Sequence, residues 1–312
     1  MESWLFIALV APLLWAIVNL IDVYFVDSIY SDEYDGAIVS GAFQLLPWLT
    51  VLVGAWRFSL PNAGVLSLAL SGALFVWANF FYFKALFAKN DASLVQLLWN
   101  FTVPMTMLLS WVMYRDVLHA NQYIGCLLVF LGVSALHLSK SFSLNQLTPL
   151  LAPMGSAVVF LSVSMLLASH GYSLSDGIFF DGYLLFSSGA IAGTLFLVAF
   201  RRLRHGSGNL ARIFTLSRSY FLVFFSAEAL ALVGTMFSQR ALDLSPSSAL
   251  VATIESLSPI FVMLFSVFIV LSSEFSSSLK ARVAMYGQQL VGYKIKIFCS
   301  IIISTGVFFL ST

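Results

Sequence analysis

Charged side chains are scarce in this sequence: Asp, Glu, Lys and Arg make up 9% of its 312 residues. Soluble proteins carry roughly 25%. Apolar residues account for 60%, and 30 residues are phenylalanine. A water-soluble fold would have too little polar surface to cover so much apolar side chain. The composition therefore excludes an ordinary soluble domain and indicates a chain whose solvent is the lipid bilayer.

Net charge and cysteine are also nearly absent. The formal charge is +1, and the two cysteines, Cys126 and Cys299, lie apart within apolar stretches. Nucleic-acid-binding domains concentrate Lys and Arg on one surface, so we expect no nucleic acid partner. The cysteines and four scattered histidines show no metal-ligand spacing, and no nucleophile elbow or phosphate-binding glycine loop occurs. We therefore expect no metal, no cofactor and no enzymatic activity.

Ten apolar segments are long enough to predict membrane-spanning helices, which need about 20 residues. The first is predicted to be a helix and not a signal peptide, because no basic residue precedes it and no cleavage site follows. The predicted fold class is an all-α integral membrane protein with ten transmembrane helices. The segments are 4–26, 37–56, 62–83, 92–113, 121–139, 148–168, 178–200, 217–238, 248–271 and 295–311.

The two halves of the sequence resemble each other. Asp35-Gly36 recurs as Asp176-Gly177, and Asn100 with Pro104 is matched by Glu255 with Pro259. The number of residues between matching positions of the two halves is larger after the Arg-rich connector 201–216 than before it. An insertion is tolerated in such a connector. We predict two five-helix repeats, residues 1–140 and 141–312. Because five is odd, the second repeat would insert inverted, as in alternating-access transporters.

Lys and Arg are distributed unevenly over the predicted connectors. With ten helices, twelve of the 15 fall on one side, leaving Arg57, Arg115 and Arg240 on the other. The positive-inside rule then predicts that both termini lie outside the cytoplasm. The basic cluster 201–218 leaves two alternatives, contact with anionic lipid head groups or a solvated loop that determines topology.

Several short motifs, none specific by itself, resemble EamA-type transporters of the drug/metabolite transporter superfamily, and the resemblance covers essentially the whole chain. It implies a ten-helix inverted-repeat fold that exports or exchanges small metabolites in a bacterial inner (plasma) membrane. It also implies that both termini lie in the cytoplasm, whereas the distribution of Lys and Arg predicts that they lie outside it. The motifs are Tyr82-Phe83-Lys84-Ala85-Leu86, Ala92-Ser93-Leu94, Pro104 and Arg115-Asp116 in the first half, and Arg240-Ala241-Leu242, Ser247-Ser248-Ala249, Ser258-Pro259 and Ser273-Glu274 in the second.

Polar groups inside the apolar segments are the candidate site residues, since an ionised carboxylate at mid-helix costs about 2.5–3.5 kcal/mol on insertion scales. Glu255 lies in the middle of the ninth segment, and Pro259 frees its backbone carbonyl. Asn100 holds the matching place before Pro104. We predict that Asn100 and Glu255 bind substrate near the midplane. The alternative role is hydrogen bonding between helices.

Further candidates lie on three other segments. Asp22 continues a helical stripe with Trp15 and Asn19, and Glu228 lies in the eighth segment. Trp77 could stack on a ligand or bind a cation. We predict Trp15, Asn19 and Trp77 as further substrate-binding residues. Asp22, Glu228 and Glu255 are predicted as coupling or gating groups, with an interfacial or packing role as the alternative.

Together these features predict a secondary active transporter, an exporter or exchanger that moves a small organic metabolite by alternating access. Proton binding at Glu255 is one route of coupling. The absence of a midplane Lys or Arg favours an amine-bearing or zwitterionic solute. The alternatives are a non-transporting membrane scaffold and an intramembrane enzyme. The expected partners are the small-molecule substrate and the lipid bilayer, and the oligomeric state stays open, a homodimer included.

Overall fold

The computed structural model describes residues 3–61, 63–88, 92–138, 144–175, 178–205, 221–273 and 293–310. Within these ranges the chain forms α-helices joined by turns, and no strand. The helices are α1 (Ser3–Ser28), α2 (Glu33–Phe43), α3 (Leu46–Leu52), α4 (Val65–Phe87), α5 (Ala92–Trp99), α6 (Thr102–Tyr114), α7 (Ala120–Leu138), α8 (Leu144–Leu174), α9 (Phe179–His205), α10 (Phe221–Leu244), α11 (Ser248–Glu255), α12 (Ser258–Ser273) and α13 (Tyr293–Leu310).

Each predicted apolar segment is occupied by one helix or by two consecutive helices. Eight of the resulting spans are long and apolar enough to cross a bilayer. The remaining two segments, at α7 and α13, contain the shorter apolar helices Ala120–Leu136 and Phe298–Leu310. The prediction of an all-α integral membrane protein is therefore confirmed.

The predicted second segment, 37–56, was wrong at both ends. α2 begins earlier, at Glu33, because the Asp32 carboxylate accepts a hydrogen bond from the Tyr34 backbone N–H and caps the helix. α3 ends at Leu52, ahead of a turn in which Gly54 adopts a φ of 72°. Asp176-Gly177, residues 206–220 and residues 274–292 lie outside the described ranges.

Three spans are broken in two, and a proline lies in the first turn of each second helix. Pro47 and Pro259 are the second residues of α3 and α12, and Pro104 is the third residue of α6. Proline lacks an N–H and clashes with the preceding turn, so it interrupts a continuous helix but is tolerated at the start of a new one. The i to i−4 ladder gives way there to shorter bonds, such as Val103 N–H to Asn100 O at 3.1 Å and Ile260 N–H to Leu257 O at 2.9 Å.

α4 is the central helix, and it packs against α8 and α9 along a seam of small residues. Gly189 and Gly193 of α9 lie directly over Ala69 and Ala73 of α4. A Cβ placed on Gly189 would lie 1.7 Å from the Ala69 carbonyl oxygen. Only glycine permits this backbone approach, which is the usual basis of close helix packing in membranes.

The bundle has two ends, which we call face A and face B. Face A is the end at which α1 begins and α13 ends, and face B is the opposite end. α4 and α8 cross the bundle in opposite directions, because Ser71 of α4 meets Ser164 of α8 while Leu68 of α4 lies beside Gly171 of α8. Contacts of this kind assign each connector to face A or to face B.

We expect Gly189→Ala to lower the free energy of unfolding by about 1–3 kcal/mol, because the added methyl must separate two backbones in contact. Thermal and denaturant unfolding in detergent micelles would measure the change. Gly155→Ala is the matched control, since a Cβ there meets nothing within 4 Å. It should leave stability unchanged or slightly raised. An equal loss in both variants would contradict the packing argument.

Candidate functional site

A cavity lies within the bundle, bounded by α1, α2, α4, α8, α10 and the two broken spans α5/α6 and α11/α12. It contains about 1060 Å³ of space free of atoms, its open mouth included. Its polar lining is dominated by three acids and four amides, and its apolar lining by aromatic rings. These residues are Asp22, Glu228 and Glu255; Asn19, Asn79, Gln96 and Asn100; and Trp15, Phe75, Tyr82, Phe83 and Trp99.

The structure brings most of the predicted site residues to this one cavity. They come from four separate spans, so their convergence depends on the packing of the whole bundle. Their roles in binding and coupling stay predictions. The predicted residues that line the cavity are Trp15, Asn19, Asp22, Asn100, Glu228 and Glu255.

Trp77 is not among the residues that line the cavity. Its ring packs against Phe80, Phe81, Phe196 and Phe200, with ring centroids between 5.7 and 6.4 Å away. It therefore belongs to an aromatic cluster between α4 and α9, on another side of α4.

The face of α4 that does line the cavity carries Phe75, Asn79, Tyr82 and Phe83. These residues recur at helical spacing, so they form one stripe. The signal that could have identified it is Asn79, the one amide side chain of this apolar helix. Tyr82 accepts a hydrogen bond from Gln96 Nε2 at 3.1 Å, which ties α4 to α5 beside the cavity. Trp99 contributes its ring to the same wall.

Glu255 and Asn100 lie at the two helix breaks. Glu255 is the last residue of α11, and Asn100 directly follows α5. Counted from the start of each helix, the residue that matches Glu255 is Trp99. The last residue of α5 and the last residue of α11 therefore both line the cavity, at the same distance from the start of their helices. The backbone tightens identically at each, with Phe101 N–H donating to Leu98 O and Leu257 N–H to Ile254 O, both at 3.1 Å.

Two atoms at these breaks are buried without a hydrogen-bond partner among the described residues. They are Oε1 of Glu255 and Nδ2 of Asn100, whose residue is 2% exposed. A buried polar atom without a partner costs about 1–3 kcal/mol, and such atoms mark places where a ligand can supply the missing bond.

The other two carboxylates lie together, nearer to face B. The Tyr30 hydroxyl donates to Glu228 Oε1 at 3.3 Å, and Glu228 is 6% exposed. Asp22 is close enough to interact electrostatically with Glu228 and with Tyr82. α1 therefore faces α10 with an acidic pair, flanked by two tyrosines.

α1 is held in place by two hydrogen bonds at the cavity wall. Trp15 Nε1 donates to the Ala231 carbonyl at 3.4 Å, and Asn19 Nδ2 donates to Ser258 Oγ at 3.3 Å. These bonds connect α1 to α10 and to the start of α12. The predicted stripe of α1 thus turns its polar residues toward the cavity and toward neighbouring helices.

A belt of polar contacts closes the bundle between the cavity and face A. Thr106 Oγ1 donates to Ser162 Oγ at 3.0 Å, and Tyr172 OH donates to Gln239 Oε1 at 3.2 Å. Beyond the belt, Ser247 Oγ donates to Asp116 Oδ2 at 2.6 Å. Asp116 and Ser247 line a second hollow that lies toward face A. Along α6 and α10 the cavity residues, the belt residues and the hollow residues follow one another in order, whereas on α8 the belt residue Tyr172 lies among the residues of the hollow.

A buried ion pair fixes the helices at face B. Arg201 Nη1 donates to Asp35 Oδ1 and Nη2 to Asp32 Oδ2, both at 2.8 Å. The side chains of Arg201 and Asp35 are 5% and 1% exposed. The alternative of a solvated loop was therefore wrong for Arg201, because α9 continues to His205 and turns this side chain inward.

The corresponding contact at face A joins Trp56 Nε1 to Asp181 Oδ1 at 2.8 Å. Asp35 and Asp181 are each the third residue of their helix, α2 and α9. Each accepts a hydrogen bond from the far end of the other span. The sequence signal is the recurrence of Tyr34-Asp35-Gly36 as Phe180-Asp181-Gly182, which the match to Asp176-Gly177 overlooked.

No protein-family model matches the chain, and no similar sequence was found among curated proteins. The structure is similar to known ones. One crystal structure, given simply as that of a protein, superposes with a TM-score of 0.63 at 16% identity. The match covers 99% of this chain and 96% of that chain. The fold as a whole is therefore shared with a solved protein, and at this identity the likeness concerns the fold alone.

We expect Arg201→Ala to lower the free energy of unfolding by about 3–5 kcal/mol, because it leaves the Asp35 carboxylate buried and unpaired. Arg202→Ala is the control: the same charge is removed from an exposed neighbour in the same helix. Unfolding in detergent would measure both, and a double-mutant cycle with Asp35→Ala would isolate the pair. Equal losses at positions 201 and 202 would count against a structural ion pair.

Proposed function

We propose that this protein is a secondary active transporter, an exporter or exchanger that moves a small organic metabolite by alternating access. The observation that carries the proposal is one cavity, deep in an apolar bundle, at which two helix breaks and three carboxylates meet. Broken helices with polar groups at mid-membrane are the usual solution for substrate sites in secondary transporters. We place the chain, on the motifs quoted above, among EamA-type transporters of the drug/metabolite transporter superfamily.

The helix contacts support ten spans arranged as two inverted repeats. If α1–α7 is overlaid on α8–α13, then α1 corresponds to α8 and α4 to α10. The contact of α4 with α8 then corresponds to that of α10 with α1, and both are among the most extensive in the bundle. α7 packs against its own counterpart α13, and α2 against its counterpart α9. This pattern is expected of a two-fold axis in the membrane plane.

The paired contacts at the two faces support the same arrangement. Asp35 with Arg201 at face B corresponds to Asp181 with Trp56 at face A. The face B contact is an ion pair, whereas the face A contact is a neutral donor to a carboxylate. Equivalent positions with unequal bond strength would let the two ends of the transporter open at different free-energy cost.

The polar belt supports the mechanism, since a transporter must close one end while its site is loaded. The belt near Thr106 and Ser162 separates the cavity from the hollow at face A. The cavity lining extends instead toward face B, to Asp22 and Phe83. The structure is therefore consistent with a state closed at face A. Opening there would break the belt bonds and the bond of Asp116 to Ser247.

We expect Glu255→Gln to reduce solute transport at least about tenfold, because the variant keeps the shape of the side chain but removes its charge. Coupling to protons through this carboxylate predicts that residual transport no longer responds to an imposed proton gradient. The measurement is uptake of a metabolite panel into proteoliposomes, with ligand-dependent thermal shifts of the same panel in detergent.

Glu33→Gln is the matched control, since Glu33 lies in the first turn of α2 and does not line the cavity. It should transport at the wild-type rate. Wild-type transport by Glu255→Gln would remove this carboxylate from the mechanism. A scaffold would be favoured by two results together: the purified protein transports none of the panel, and Glu255→Ala leaves the activity of its partner proteins unchanged.

A further inference from the structure

The cavity carries negative charge at two separate depths, and this separation constrains its ligand. Among the described residues that line it, three are acids and none is Lys, Arg or His. Asp22 and Glu228 form one acidic station, and Glu255 forms the other. The question is which solute could satisfy both stations together.

The depth of each station follows from the bond between Asn19 and Ser258. α1 and α12 both run from face A to face B, so these two residues mark one level. Asp22 lies three residues farther toward face B, and Glu255 three residues farther toward face A. With a helical rise of about 1.5 Å per residue, the Asp22 Cα lies about 4.5 Å on the face B side of this level, whereas Glu255 lies on its face A side, across the break between α11 and α12.

Two observations group Asp22 with Glu228. Asp22 is close enough to Glu228 to interact with it electrostatically. Tyr30, from the end of α1, donates to Glu228 at 3.3 Å, which holds that carboxylate beside the face B end of α1. The Cα–Cβ bonds of a helix lean toward its N-terminus, so Asp22 and Glu255 both lean toward face A and their difference in depth is kept.

Aromatic rings make up much of the rest of the lining. Trp15, Phe75, Tyr82 and Trp99 contribute rings to the wall. Such rings accommodate an aliphatic stem, and their faces attract an ammonium group nearby. At the level between the stations, Asn19 and Ser258 already bond to each other. The cavity thus combines two acidic stations with aromatic surface on which the stem of a ligand can pack.

We propose that the solute is a dicationic amine, an α,ω-diamine or a longer polyamine, whose two ammonium groups are bound at different depths, one at Glu255 and one at the Asp22–Glu228 pair. The proposal rests on the proposed transport function and names its substrate class. The unpartnered Oε1 of Glu255 is the acceptor awaiting a donor at one end. Asn100 beside it can present its amide oxygen to the same ammonium group after a half-turn of the amide.

The test compares α,ω-diaminoalkanes of three to eight carbons with alkylmonoamines of the same lengths, by calorimetric binding to the purified protein and by uptake into proteoliposomes. We expect diamines of intermediate length to bind at least about tenfold more tightly than the matching monoamines. Glu228→Gln and Asp22→Asn should each reduce that preference while monoamine binding at Glu255 persists. Two separate variants keep the test valid if one of them fails to fold, and Glu33→Gln should retain the full preference.

The outcomes separate this proposal from the transport function. Equal affinity for monoamines and diamines, or a diamine preference unchanged in both face B variants, would overturn the two-station ligand. Uptake of neutral or zwitterionic solutes in place of amines would overturn the substrate class and leave the transport function standing. A protein that moves none of the probes and none of the metabolite panel would overturn the transport function itself.

Discussion

The close approach of α4 and α9 is the contact on which the rest of the bundle depends. At Gly189 and Gly72 the two backbones lie closer than any side chain would allow. In a membrane, where lipid tails compete equally well for apolar surface, such van der Waals contact is a main source of helix association. The seam fixes the rotation of α4, so that the neighbouring stripe, with Asn79 and Tyr82, forms a wall of the cavity.

The second constraint is that hydrocarbon offers no hydrogen bonds, so polar groups must find partners within the protein. Most of them do: the belt at face A and the ion pair at face B satisfy serines, threonines and charged groups in pairs. Four buried side-chain atoms of the described residues have no partner: Glu255 Oε1, Asn100 Nδ2, Ser134 Oγ and Arg201 Nε. Only Glu255 and Asn100 among these residues line the cavity, so only there can a ligand supply the missing bond.

The breaks in α5/α6 and α11/α12 connect these two constraints. A proline at the start of the second helix interrupts the ladder, which costs stability unless the freed groups are satisfied. Placed in the interior, each break gives the cavity a polar side chain and a backbone turn at mid-depth. A third break, at Pro47 between α2 and α3, lies away from the carboxylates and shapes the face A end of that span.

The sequence by itself determined the solvent of this protein, the helical class and the position of nearly every span. Those properties follow from the length of apolar runs and from proline, glycine and capping residues, which act locally. It also identified the polar residues of the stripe Trp15, Asn19 and Asp22, because helical spacing makes them share a face. Only the tertiary structure decided that this stripe, Glu228 and Glu255 face one cavity while Trp77 does not, since the orientation of a helix that is apolar all round is set by its neighbours. The partners of Arg201 and Asp181 were decided in the same way, because they join residues far apart in the chain and depend on how the spans pack.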